Sequence, residues 1–378
     1  MYTCNMIPRI LSKVIAKQLH KGKAIIVLGP RQVGKTTLLK ALAKEKNNVL
    51  WINADNIEDR EIFNNPSAKR LKAIIGNYKI VIIDEAQRIN DIGVKLKLIT
   101  DELGSIQLIA TGSSSFELSN TINEPLTGRK FEYQLYPIAF NELVNHTSLL
   151  DELKMLAHRL IYGAYPDVIN NAGNEKEILQ QLVNSYLYKD ILAWNRIKKS
   201  DKIIKLLQAI SFQVGNQVSY HELGQIVGLN SETVASYINL LEQSFVLFKL
   251  SSFSRNLRNE LKKSHKIYFY DNGVRNALIA NYNPINLRND VGALWENYLI
   301  SERIKYCEYN KIYSNRYFWR THDGQEIDYI EEREGKLFAY EFKWNKKRKS
   351  KIPVAFEKGY DNYAFEVITK DNYETFIN

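Results

Sequence analysis

The chain has 378 residues, enough for two or three domains, and 45% of them are hydrophobic, the ordinary share for a soluble globular protein. No uninterrupted apolar run is long enough to cross a bilayer, and Cys4 and Cys307 stand far apart in no metal spacing, so neither a membrane partner nor a disulfide framework or zinc site is expected and a cytoplasmic setting is. The net charge of +10 is uneven, with 20 basic against 14 acidic side chains in residues 1–150, 16 against 12 in 151–285 and 16 against 16 in 286–378. Such an excess suits a polyanionic partner such as DNA, and equally suits plain solubility.

The segment Ile10–Leu19 carries lysines inside an apolar pattern, which predicts an amphipathic helix and not a signal peptide. The run Ala24-Ile25-Ile26-Val27-Leu28 then reads as a buried strand. It leads into Gly29-Pro30-Arg31-Gln32-Val33-Gly34-Lys35-Thr36, a G-x-x-x-x-G-K-T loop, and Thr37 follows at the head of a helical pattern. Strand, glycine loop and helix together favour a phosphate cradle over a glycine turn with an incidental lysine. The loop's N–H groups and the helix N-terminus would face a phosphate, Lys35 would reach the β- and γ-phosphates, and the Thr36 hydroxyl would hold Mg²⁺.

Three further apolar runs extend a parallel sheet: Val49–Asn53, Lys79–Glu85 and Gln107–Thr111, with Phe131–Leu135 as an alternating edge strand. Ligands of such sheets lie beyond the carboxyl ends of the strands, so Asp84 and Glu85 fall beside the phosphates. Asp84 is the expected Mg²⁺-side acid and Glu85 the candidate base that orients the attacking water. The stretch Thr111-Gly112-Ser113-Ser114-Ser115 offers Ser113 or Ser114 as a sensor of the γ-phosphate or the water; a serine-rich turn and helix cap is the other reading.

From Leu149 to Ser200 the pattern is helical, broken by Tyr162-Gly163-Ala164-Tyr165-Pro166. A helix-turn-helix follows. Ser219 with Glu222 three residues later has capping-box order, Gly228 makes the turn, and Asn230 or Ser231 caps a helix over Glu232–Leu241. Strands over Phe245–Leu250 and Lys266–Tyr270 complete a winged-helix pattern. Its second helix lacks Lys and Arg from Ser231 to Ser244, whereas Arg255, Arg258, Lys262, Lys263 and Lys266 lie between the strands. A DNA-contacting wing and a purely architectural or protein-contacting one both fit.

Near the end, Gly292–Leu299 begins a helix expected to be amphipathic, with Glu296 inside it. Strands over Tyr317–Arg320, Glu326–Ile330 and Leu337–Trp344 follow. Glu341 and Lys343, two apart on one strand, share a face, and Asp328 on the preceding strand can sit opposite. Two carboxylates so placed could hold Mg²⁺ and activate water on a phosphodiester, with Lys343 positioning it; a solvated cross-strand ion pair needs no such chemistry.

In one order the chain holds the P-loop, Asp84-Glu85-Ala86-Gln87, Thr111-Gly112-Ser113-Ser114, Leu126-Thr127-Gly128-Arg129, Leu135-Tyr136-Pro137-Ile138-Ala139-Phe140-Asn141-Glu142, Gly163-Ala164-Tyr165-Pro166, Tyr270-Asp271-Asn272-Gly273, Glu326-Ile327-Asp328 and Glu341-Phe342-Lys343. The set resembles a prokaryotic AAA-type ATPase family whose members carry an uncharacterised C-terminal domain. The resemblance implies an α/β fold in three parts. Residues 1–149 would be a P-loop ATPase core, a parallel sheet between helices whose acidic strand is not adjacent to the P-loop strand. Residues 150–285 would be a helical segment and winged helix, and 286–378 a small restriction-endonuclease-like α/β domain of PD-(D/E)xK type. Glu296, Asp328, Glu341 and Lys343 would correspond to its nuclease motif. Arg129 would touch a γ-phosphate of its own chain or, as an arginine finger in an oligomer, that of a neighbour; a pairing with an acid at a domain boundary is the other reading. The expected function is ATP binding and hydrolysis with Mg²⁺, coupled to a nucleic-acid-directed task; an ATP-regulated, Mg²⁺-dependent DNA nuclease and an ATP-driven protein-binding switch are the alternatives.

Overall fold

The computed structural model describes residues 6–44, 46–64, 66–113, 122–186, 200–254, 265–345 and 351–378. These fall into two compact units, one built from residues 5–138 with 243–245 and one from 139–242 with 246–378.

The first unit is built on five strands: β1 (Ala24–Leu28), β2 (Val49–Asn53), β3 (Ile80–Asp84), β4 (Gln107–Gly112) and β5 (Lys130–Gln134). Their order is β2-β3-β4-β1-β5, all parallel. Every residue of β1, β3 and β4 is buried, because apolar, β-branched runs such as Ile80-Val81-Ile82-Ile83 can be covered on both faces. The edge strand β5 is only half-buried, as its alternation predicts. The acidic strand β3 is separated from the P-loop strand β1 by β4. The expected N-terminal helix forms over Ile10–Ala16 and buries Leu11 and Ile15.

The second unit holds a seven-stranded sheet, ordered β12-β11-β10-β9-β7-β8-β6. Its strands are β6 (Gln217–Val218), β7 (Leu247–Ser252), β8 (His265–Phe269), β9 (Asn315–Arg320), β10 (Glu326–Arg333), β11 (Lys336–Phe342) and β12 (Tyr363–Ile368). Strands β7 and β8 form the expected antiparallel hairpin, two residues later than the sequence suggests at the start of β7. β7 also pairs in parallel with β9 through Ser251–Tyr317 and Ser252–Phe318. One sheet therefore takes strands from before residue 285 and from after residue 286.

The helix-turn-helix is present. Helix Tyr220–Val227 starts at Ser219, whose hydroxyl accepts from the Glu222 N–H, and stops at Gly228 in the left-handed conformation. Asn230, and not Ser231, caps helix Ser231–Gln243, accepting from Thr233 N–H at 2.8 Å.

Helix Val291–Tyr309 corrects an expectation. It is not amphipathic: its polar residues Asn297, Ser301, Glu302, Arg303 and Lys305 are buried along with its apolar ones. Each of these charges and amides finds a partner, which is why the helix can lie inside. Asn297 bonds both backbone groups of Phe269, Glu302 accepts from Phe140 N–H and Lys305, and Arg303 forks onto Glu331. Two quoted motifs interlock nearby. Asp271 accepts from Ala164 N–H at 2.7 Å, and a Cβ at Gly163 would lie 2.0 Å from the Asp271 carboxylate. Gly163, at φ +69, leaves that room.

Candidate functional site

In the first unit the carboxyl ends of β1, β3 and β4 gather the expected residues. Gly29 leaves β1 so close to β5 that a Cβ there would meet the Leu135 carbonyl at 2.2 Å, so only glycine fits. Gln32 and Gly34 take positive φ and fold the loop over the start of helix Lys35–Lys44. The loop is braced from outside the motif. The buried Arg9 guanidinium donates to the Val33 carbonyl at 2.8 Å and to the Tyr136 carbonyl at 2.5 Å. Lys35 is 4% exposed, and its ammonium donates to the Gly29 and Pro30 carbonyls, both at 2.9 Å.

Thr36 Oγ1 donates to Asp84 Oδ2 at 2.7 Å, joining the end of the P-loop to the end of β3. Thr111, at the end of β4, donates to Asp84 Oδ1 at 2.5 Å and accepts from the Glu85 N–H at 3.0 Å. Glu85 has left-handed backbone angles, φ 53 and ψ 44, and so turns sharply out of the strand. Its Oε2 accepts from Gln87 Nε2 at 2.6 Å, and the same Nε2 donates to the buried Ser113 Oγ at 3.1 Å. The structure thus brings Lys35, Thr36, Asp84, Glu85 and Ser113 together; Ser114 and Ser115 lie outside the described residues.

Arg129 is not among them. It precedes β5 beside Ala24, at the amino ends of the strands, and β1 alone separates it from the P-loop by about 16 Å of extended chain. A contact with the γ-phosphate of its own chain is ruled out by that placement. Its guanidinium is half-exposed and pairs with Asp101 at 2.7 Å.

Gln87, Thr111 and Arg9 join the site without a motif to single them out. The signal for Gln87 was its place two residues beyond the acid pair. For Thr111 it is a hydroxyl next to the carboxyl end of a buried strand. Arg9 carries no signal, since its partners are carbonyls 24 and 127 residues away. Gln87→Ala is expected to lower kcat for ATP by ~10–100-fold through loss of the Glu85 position, with nucleotide affinity unchanged. Parallel turnover and fluorescent-nucleotide titrations check this; an unaltered kcat would remove Gln87 from the site.

The C-terminal residues also meet, but with company. Asp328 on β10 lies beside β11 and accepts from the Phe342 N–H at 2.8 Å. Glu341 and Lys343 share a face and pair at 2.5 Å, while Tyr340 and Phe342 turn to the other side, against Phe376. Burial, then the Glu296 and Glu341 carboxylates, hold the Asp328 carboxyl well above the usual carboxylate range. Glu296 accepts from Lys266 at 3.1 Å and from the Tyr268 hydroxyl at 2.5 Å. Lys266 is therefore not a surface cation of the wing, as its position suggested; at 2% exposure it is one of the most buried side chains of the unit. Its signal was a lone lysine in a strand whose next three residues, Ile267, Tyr268 and Phe269, are apolar or aromatic. Arg255, Arg258, Lys262 and Lys263 lie outside the described residues.

With this geometry in view, the comparisons fall into place. Residues 21–144 match the profile of an AAA domain. Residues 153–285 and 291–374 match two domains of unknown function, DUF8612 and DUF4143. The N-terminal part is thus an AAA-type P-loop ATPase domain, followed by a mixed α/β region whose families have no assigned function. Uncharacterized protein Rv2008c of Mycobacterium tuberculosis is 24% identical over 334 residues, covering 87% of this chain and 72% of that protein. Uncharacterized protein MJ1544 of Methanocaldococcus jannaschii is 22% identical, covering 98% and 89%. Among solved structures, the Walker-type ATPase paby2304 of Pyrococcus abyssi is similar with a TM-score of 0.49 and 14% identity, over 72% of this chain and 96% of that one. No helix among the described residues is long and apolar enough to cross a membrane.

Proposed function

We propose that the chain binds ATP with Mg²⁺ at the P-loop, hydrolyses it, and uses the nucleotide state to direct residues 139–378 in a task on nucleic acid. The observation that carries the first part is the Thr36–Asp84–Thr111 chain of hydrogen bonds, with Glu85 at its end. The donor set fits a metal-bound triphosphate. A close-packed glycine, a lysine seated on loop carbonyls and a Thr–Asp pair one hydrogen bond apart are the parts such a ligand needs. Pro30, Arg31, Gln32, Val33 and Gly34 would line the phosphates, with Thr37 in the first turn of the helix. Magnesium, held by Thr36 and Asp84, would neutralise charge on the β- and γ-phosphate oxygens.

The protein's own groups then divide the work. Lys35 exchanges two carbonyl partners for phosphate oxygens. Glu85 takes the proton of the attacking water, and Gln87 with Ser113 fixes the direction in which its carboxylate points. Arg129, remote from this pocket, would act only on a neighbouring copy's nucleotide, and only if the chain oligomerises.

The nucleic-acid task rests on the +10 charge and on the helix-turn-helix with its β7–β8 hairpin, read as a winged helix. A protein-binding switch is the second reading. It is favoured by helix Ser231–Gln243, which offers no lysine or arginine to a DNA groove. Phosphate release by the whole chain, with and without DNA, tests both. Magnesium-dependent release together with DNA retention that weakens steeply as salt rises supports the nucleic-acid reading. Release without any DNA retention at low salt moves the assignment to the protein switch, and no ATP uptake at millimolar concentration overturns the site.

A further inference from the structure

The carboxylate set of the second unit is the strongest feature that the ATPase reading does not use. Lys266 on β8 enters it with its stem buried and its ammonium 5.4 Å from the centre of the Phe318 ring. The ammonium bonds Glu296 Oε1 at 3.1 Å and Glu326 Oε1 at 2.5 Å. Tyr268, two residues on and so on the same face of β8, donates to the same Glu296 oxygen. The other Glu296 oxygen looks onto Gly215, where a Cβ would stand only 3.3 Å away. Asp328 is engaged by the Phe342 N–H and Glu341 by Lys343, and Arg320 lies 3.5 Å from the second oxygen of Glu326.

All four carboxylates therefore have a donor from the chain itself. A magnesium ion asks for about six oxygens in near-octahedral array at about 2.0–2.1 Å. Among the described residues no group of three or more Asp, Glu, His or Cys side chains is disposed to hold a metal. A lysine so buried must be paired to stay charged, and the geometry supplies two acids. The residues present thus do not fit the divalent ion that the nuclease-like motif implies.

We propose that the Lys266 ammonium takes the place of a divalent metal in this carboxylate set, so that residues 139–378 form a metal-free module that does not cut nucleic acid. This holds whether or not the P-loop hydrolyses ATP.

The test uses the whole chain without nucleotide, titrated with Mn²⁺ alone. Free Mn²⁺ is followed by electron paramagnetic resonance and thermal unfolding is recorded in parallel. The wild type should retain no Mn²⁺ that Asp328→Asn removes, and its unfolding midpoint should not move with the metal. Lys266→Met keeps the stem and removes the charge. Its midpoint should fall by roughly 10 °C, and millimolar Mn²⁺ should restore much of the loss, except in the double variant with Asp328→Asn. Stoichiometric Mn²⁺ on the wild type that vanishes in Asp328→Asn overturns the proposal, as does Mn²⁺-dependent DNA cleavage lost in that variant. A folded Lys266→Met chain indifferent to Mn²⁺ overturns it too. Should Lys266→Met not fold, the wild type against Asp328→Asn decides alone.

Discussion

Lys35→Ala is expected to lower ATP hydrolysis by ~10²–10³-fold, the usual cost of deleting one preorganised donor at a centre of developing negative charge. Nucleotide affinity should fall as well. A charge-assisted hydrogen bond contributes about 1.5–3 kcal/mol, which corresponds to ~10–150-fold in Kd. The lysine is buried and spans the Gly29 and Pro30 carbonyls, so its loss also frees two acceptors of the loop. That part acts on the loop's order, not on the sheet, and the unfolding midpoint of the chain should move little. Phosphate release, nucleotide titration and a melting curve separate the three effects. Turnover within a factor of two of the wild type would mean that phosphate is not held here.

Glu85→Gln should separate the two effects: turnover down by ~10²–10⁴-fold with ATP affinity preserved. The amide has the same size and can still accept from Gln87, so the left-handed turn at residue 85 and the Gln87–Ser113 bridge should persist. What disappears is the capacity to take a proton. The variant should therefore hold ATP unhydrolysed, detectable as unchanged triphosphate recovered from the protein after gel filtration. If Glu85→Gln instead lost affinity and kept its rate per bound nucleotide, Glu85 would be a structural turn residue, and the base would have to be sought elsewhere.

Much of the first unit is legible in its sequence because its physics is local. Four β-branched residues in a row suit a doubly covered strand, and a glycine loop between a buried strand and a helix has one common use. Asp84 and Glu85 could be placed because parallel strands deliver their carboxyl ends to one edge. Arg129 could not, because its position depends on which end of β5 meets Ala24, a matter of register between distant segments. The same holds for Arg9, whose carbonyl partners no pattern announces. In the second unit, the faces of Glu341 and Lys343 follow from strand alternation. The occupancy of Glu296 does not: it needs β8 laid beside helix Val291–Tyr309, and only then does a lysine counted as a wing cation become an interior one. The burial of that helix is hidden in the sequence for a related reason. Its polar residues resemble a solvent face until their partners, Glu331, Phe140 and Phe269, are brought up from other elements.

The parallel pairing of β7 with β9 bears on how such chains diversify. Residues 153–285 and 291–374 are matched as separate families, yet their backbones share one ladder. A recombination event that exchanged either stretch between relatives would leave the strands on each side of the seam without their original neighbour, and Lys266 without its acids. Replacing one stretch without the other is therefore expected to weaken the sheet at this seam.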